Sequence, residues 1–237
     1  MKFLYLFLAA TTISLSGAVT IPGEGAYAIS NLVDLPEQPT DVSQALANKL
    51  LDVLENYGLT KNFGVVAVHS HTDLAPGQVM FQHGNATFTH QEIQEYAAVK
   101  DEGVPYNYRI TTDAAPALLP LDLGDITPGA NAARADLASA MAGNFLQDFA
   151  KAAAGHLTGI AYIRPLDRNA LENGEVVKNH YNDEKTAGTA NAINLADANP
   201  ADEPSFFTRG VGNSTAASDI TILCGACGHG NPWVDRR

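Results

Sequence analysis

Apolar positions along the chain follow two periods, and the first clear stretch is helical. Val42, Leu46, Leu50, Val53, Leu54 and Tyr57 recur at three- and four-residue spacing. Thr40 or Asp41 is placed to cap this helix, and Gly58 stands just past its end. Phe63–His69 is then a β-branched run of strand length, Leu74–Gly77 is a turn, and Gln78–Gln82 is a second strand, so the pair reads as a hairpin. The same order returns later. Leu137, Met141, Phe145 and Phe149 line one stripe of a helix over 132–154, Thr158–Arg164 is strand-like, Asn173-Gly174 is a turn signal, and Glu175–Lys178 is another strand.

Laid together, Gly64-Val-Val-Ala-Val and Gly159-Ile-Ala-Tyr-Ile each follow a helix, and each is followed by Gly-Gln-Val or Gly-Glu-Val. That is a helix–strand–strand unit used twice. Mixed periods of this kind predict an α+β fold: a mostly antiparallel sheet with helices on one face. Residues 19–39, 99–130 and 184–218 are rich in Pro and Gly or poor in large apolar residues and read as irregular, apart from a short strand at 106–110. The 184–218 stretch is long for a structureless loop and reads as a surface excursion or a lid over a site. Asp219–Leu223 is a last strand that delivers Cys224 at its end.

The N-terminus changes the picture of where the chain works. Lys2 precedes an apolar run from Phe3 to about Leu15, and Ser16-Gly17-Ala18 supplies small residues for cleavage. Residues 1–18 therefore read as a secretory signal peptide, too short to span a bilayer, and 19–237 as a single secreted domain. Asn85-Ala86-Thr87 and Asn213-Ser214-Thr215 are glycosylation sequons on the same route. With 14 Lys+Arg against 26 Asp+Glu, the formal charge is −12. Such a surface argues against nucleic acid and anionic lipid as partners.

Two clusters carry candidate chemistry. His69 and His71 are two apart in a strand, on one side of it, where two imidazoles can share zinc or copper. Cys224-Gly-Ala-Cys227-Gly-His229 places two thiols and an imidazole within six residues. Combined, the two clusters would form a Cys₂His₂ set. The oxidising secretory route offers alternatives for the thiols: a Cys224–Cys227 disulfide closing a very small loop, or a redox or intermolecular thiol. Asp73 adds a carboxylate near the hairpin, so a secreted hydrolase-like enzyme with its site at His69–Asp73 is a second reading. A purely structural or host-interaction protein is a third. No Gly-x-Ser-x-Gly, His-Glu-x-x-His, P-loop or dinucleotide fingerprint is present in the sequence, and no reaction follows from it.

The segment Tyr57-Gly-Leu-Thr-Lys-Asn-Phe-Gly64, His69-Ser-His71-Thr-Asp-Leu74 and Gly77-Gln-Val-Met80 resembles a group of uncharacterised fungal secreted proteins. Their tails are rich in Cys and His, as Cys224–His229 is on a smaller scale. This chain departs from the group in having Gln78 where Glu is favoured, and a short tail with one His. The resemblance implies a fungal source and a shared hairpin, and it implies no activity. The expectation is a secreted, non-catalytic binding domain with a metal held through His69, His71, Cys224, Cys227 and His229.

Overall fold

The computed structural model describes residues 21, 35, 42–69, 78–90, 103–181, 187–198, 203–211 and 219–224. Its fold is α+β, as the mixed periodicity predicts. Among the described residues, helices α1 (Gln44–Asn56), α2 (Pro128–Met141), α3 (Phe145–Ala153) and α4 (Pro165–Glu172) accompany ten strands. The strands are β1 (Phe63–Ala67), β2 (Val79–His83), β3 (Ala86–His90), β4 (Val104–Ile110), β5 (Leu118–Gly124), β6 (Thr158–Tyr162), β7 (Glu175–Tyr181), β8 (Ala187–Asn194), β9 (Glu203–Thr208) and β10 (Asp219–Cys224). They close into a barrel in the order β1-β6-β4-β5-β2-β3-β8-β7-β10-β9. Every neighbouring pair is antiparallel except β2 with β5 and β7 with β10.

This ring corrects the predicted hairpin. β1 pairs with β6 and β9, whereas β2 pairs with β3 and β5, so the two strands joined by Leu74–Gly77 are not neighbours. Likewise α4 separates β6 from β7, and Asn173-Gly174 is the exit from that helix, with Gly174 at φ +74°. Two of the irregular segments also contain regular structure. Residues 99–130 hold β4, β5 and the start of α2; residues 184–218 hold β8 and β9. Pro105 and Pro120 argued against strands, but Pro105 lies beside the irregular register of the β4–β5 pair, where a missing N–H is tolerated. Ala187–Asn194 shows no apolar alternation because most of it is exposed on both faces. Its ladders to β7 and β3 define it as a strand.

The helices have local causes. Ser43, rather than Thr40 or Asp41 (which lie outside the described residues), caps α1 by accepting from the Leu46 amide at 3.2 Å. Gly58, at φ +70°, ends it. The predicted 132–154 helix is two helices. Thr127 caps α2 through the Ala130 amide at 3.0 Å, with Pro128 in its first turn, and the chain breaks over Ala142-Gly143-Asn144 before α3 begins. Leu50, Leu51 and Leu54 of α1, Leu137 of α2 and Phe145 and Phe149 of α3 form one core with Phe63, Val65, Tyr108, Ile160 and Phe207 of the sheet. Each such fully buried side chain contributes on the order of 1.5–3 kcal/mol.

The ring reads the same when β1–β5 are exchanged for β6–β10, so the fold carries an internal two-fold. The registers agree with it residue by residue. Val65 pairs with Ile160, its own equivalent, and Ala86 pairs with Thr189, its equivalent, on the far side of the ring. Both parallel pairs are equivalent, as are the register shifts in β4–β5 and β9–β10. Val68 N–H donates to Leu157 O at 3.1 Å while Ile163 N–H donates to Asn62 O at 2.8 Å. Even the close approaches match: a side chain on Gly159 would run into the Tyr108 carbonyl, and one on Gly64 into the Phe207 carbonyl. The helix–strand–strand unit read twice in the sequence is therefore the opening of a five-stranded half used twice.

Candidate functional site

Because the two-fold relates antiparallel strands, it exchanges the two ends of the barrel. One end carries His69 just beyond β1 and Cys224 at the end of β10. The other carries their equivalents, Arg164 just beyond β6 and Gly124 at the end of β5.

At the first end, His69 is buried and its Nδ1 lies 2.7 Å from the Ala67 carbonyl oxygen. A carbonyl only accepts, so Nδ1 carries a proton and donates, which leaves Nε2 as the ring nitrogen that can offer a lone pair to a metal. Cys224 is aligned with Glu203 of β9. Continuing the β1–β9 register from Val66–Phe206 aligns His69 with that same Glu203. His69 and Cys224 therefore flank one strand end, with backbones roughly 10 Å apart at ordinary strand spacing. His71, Asp73, Cys227 and His229 lie outside the described residues, as do residues 1–18, read above as a signal peptide, residues 19–39 apart from Ile21 and Leu35, and Asn213. Among the described residues no three His, Cys, Asp or Glu side chains converge on a metal position. Asn85 is exposed at the tip of the two-residue β2–β3 turn beside Gly84.

The second end holds a polar network that the sequence reading missed. Asp122 of β5 is buried and accepts from three donors: Gln82 Nε2 at 2.7 Å, Asn107 Nδ2 at 2.5 Å and the Asn107 amide at 3.0 Å. Gln82 Oε1 in turn accepts from Arg164 Nη1 at 2.9 Å. Arg164 and Asp167 form a buried bidentate pair, Nη2 to Oδ1 at 2.7 Å and Nε to Oδ2 at 3.0 Å, and the Arg164 amide adds a third bond to Oδ2 at 2.9 Å. The network thus runs Asn107, Asp122, Gln82, Arg164, Asp167 and fixes the first turn of α4. Burial pushes the Asp122 carboxyl up to about 6, against the hydrogen bonds from Gln82 and Asn107 and the Arg164 charge, which hold it down. Burial likewise raises the neighbouring Tyr106 and Tyr162 hydroxyls.

The equivalents at the first end differ in kind. The registers place Ile222 where Asp122 is, Phe206 where Asn107 is, Asn179 where Gln82 is, and His69 where Arg164 is. Two sequence signals pointed to the network. Asp122 is a lone acid in Leu118-Leu-Pro-Leu-Asp-Leu-Gly124, and Arg164-Pro-Leu-Asp167 is a helix start with an acid at its third position.

No protein family, curated protein or solved structure matches the chain. Among the described residues, no helix is long and apolar enough to cross a membrane.

Proposed function

We propose that the protein is a secreted, non-catalytic binding protein that takes a zinc or copper ion where β1 and β10 finish. The observation that carries this reading is the placement of His69: its Nδ1–H is spent on the Ala67 carbonyl, so Nε2 is the donor atom, at the barrel end that also receives Cys224. A ring nitrogen fixed through its partner nitrogen is the usual outer-shell arrangement of metal-binding histidines. The sequence supplies His71 two residues past His69, and Cys227 and His229 three and five past Cys224, which would complete a mixed N/S set suited to these metals. Residues 1–18 direct the chain to the secretory route, and the exposed Asn85 is accessible to a glycan there.

Elemental analysis of protein secreted without chelator tests this reading. One equivalent of zinc or copper is expected, falling below a tenth of an equivalent in H69A/H71A and in C224S. No metal in the native protein, or unchanged metal in both variants, overturns it. Intact-mass analysis of the same sample reads the free N-terminus and the glycan at Asn85.

A further inference from the structure

We propose that Asp122 is a proton-operated latch: when its carboxylate takes a proton, the Gln82 side-chain amide turns over and Arg164 loses its hold on β2, loosening the start of α4. The inference concerns the end of the barrel opposite to the metal reading and does not depend on it.

The argument is one of hydrogen-bond polarity. Asp122 is approached by three donors, Gln82 Nε2, Asn107 Nδ2 and the Asn107 amide. An ionised carboxylate satisfies all three. A protonated one carries an O–H that needs an acceptor, and none of the three can provide one as they stand. The Asn107 amide N–H is backbone and cannot change role. The Asn107 and Gln82 side chains can, by turning over. Both are half-buried, and Gln82 is the one that links Asp122 to Arg164; turning it presents its carbonyl to Asp122. The same turn faces its NH₂ toward Arg164 Nη1, so donor meets donor and the 2.9 Å bond is lost. Arg164 keeps its pair with the fully buried Asp167, so α4 is loosened at its first turn rather than expelled.

The surrounding ionisable groups set the operating range. Arg164 faces Asp122 from the start of α4 with Asp167 behind it, Tyr106 stands on β4 and Tyr162 on β6, and past the end of β5 Asp125 is paired with His83 of β2 at 2.8 Å. Arg164 is the cation that favours the ionised form, and burial opposes it. The internal two-fold supplies a control. At the other end Ile222 and Phe206 occupy the equivalents of Asp122 and Asn107, so the barrel closes without a buried acid at this position.

The test is nuclear magnetic resonance on the full mature chain. The Asp122 carboxyl carbon, the Gln82 side-chain NH₂ and the Arg164 Nε–H are followed from pH 7.5 to 4.5, with hydrogen-exchange protection of the α4 amides measured at both limits. All three resonances are expected to move with one midpoint, and protection at residues 166–169 to fall about tenfold, the fold-change for losing one hydrogen bond to a charged group. D122N, which carries an NH₂ toward the same donors, should show the low-pH protection already at pH 7.5. In Q82L, protection should cease to depend on pH. An Asp122 carboxyl that titrates while Gln82 and Arg164 stay still overturns the proposal, as does unchanged α4 protection in the native chain, whether or not either variant folds.

Discussion

The two ends of the barrel are built from equivalent strands and equivalent registers, yet they are filled with opposite chemistry. At one end Arg164, Gln82, Asn107, Asp122 and Asp167 form a continuous polar network under α4. At the other, the same positions on the first four carry His69, Asn179, Phe206 and Ile222. Since one backbone plan accepts both sets, neither is demanded by closure of the sheet. The polar set must instead be compatible with burial through its own hydrogen bonds, because an unpaired carboxylate or guanidinium there would cost several kcal/mol. The difference therefore separates what the architecture requires, such as Gly64 and Gly159 at the close approaches, from what each end has been given to do.

The sharpest way to break the comparison is to remove Arg164. Asp167 would then be a buried carboxylate with no counter-charge, and R164A is expected to lose about 3–5 kcal/mol of stability. H69A, at the equivalent position, should lose only about 1 kcal/mol in metal-free protein, the net value of one hydrogen bond. Urea denaturation of both variants compares them directly, and equal losses would remove the claimed asymmetry.

A second, smaller effect lies in the pH dependence. The Asp122 carboxyl ordinarily titrates near 3.8 and is raised to about 6 by burial, so between these values the folded chain holds more protons than the unfolded one. Its contribution to stability is therefore largest below about 4, declines as pH rises to about 6, and is level above that. The drop is on the order of 3 kcal/mol. Denaturation midpoints at pH 4, 5, 6 and 7 should show this slope in the native chain and lack it in D122N. A native slope of the opposite sign would mean the carboxyl is held down rather than up.

The smallest effect sharpens the pairing of Gln82 with Asn179. Q82A takes away one donor to Asp122 and the acceptor of Arg164 and is expected to cost about 2 kcal/mol. Asn179 is half-buried with no side-chain hydrogen bond among the described residues, so N179A should stay within about 0.5 kcal/mol of the native chain in the same denaturation series.

Much of this was legible from the sequence because it rests on local rules. The stripe Leu46, Leu50, Val53, Leu54 predicts α1, Gly58 ends it, and the runs at Phe63 and Thr158 predict β1 and β6. The repeat was visible where both copies keep Gly followed by β-branched residues. It was invisible over β4 and β9, where Val104-Pro-Tyr-Asn-Tyr and Glu203-Pro-Ser-Phe-Phe share only the proline, and over β8, whose exposed faces impose no alternation. The sequence places His69 at a strand end, and it lies just past β1, whereas Asp122 and Arg164 do not stand out, since neither has a partner nearby in sequence except Asp167.

By itself the sequence determined the α+β class, the helix and strand that open each half, and the expectation of secretion, because caps, glycines and apolar periods act over a few residues. Only the tertiary structure decided which strands are neighbours. Hydrogen bonds between strands join residues scores of positions apart, and strands that succeed one another in the chain, such as β1 and β2, end up apart in the ring. That pairing puts Cys224 at the same end as His69, and gathers Gln82, Asn107, Asp122 and Arg164 from four separate stretches of chain. An isolated carboxylate cannot be buried, so the network exists only once the barrel has closed around it.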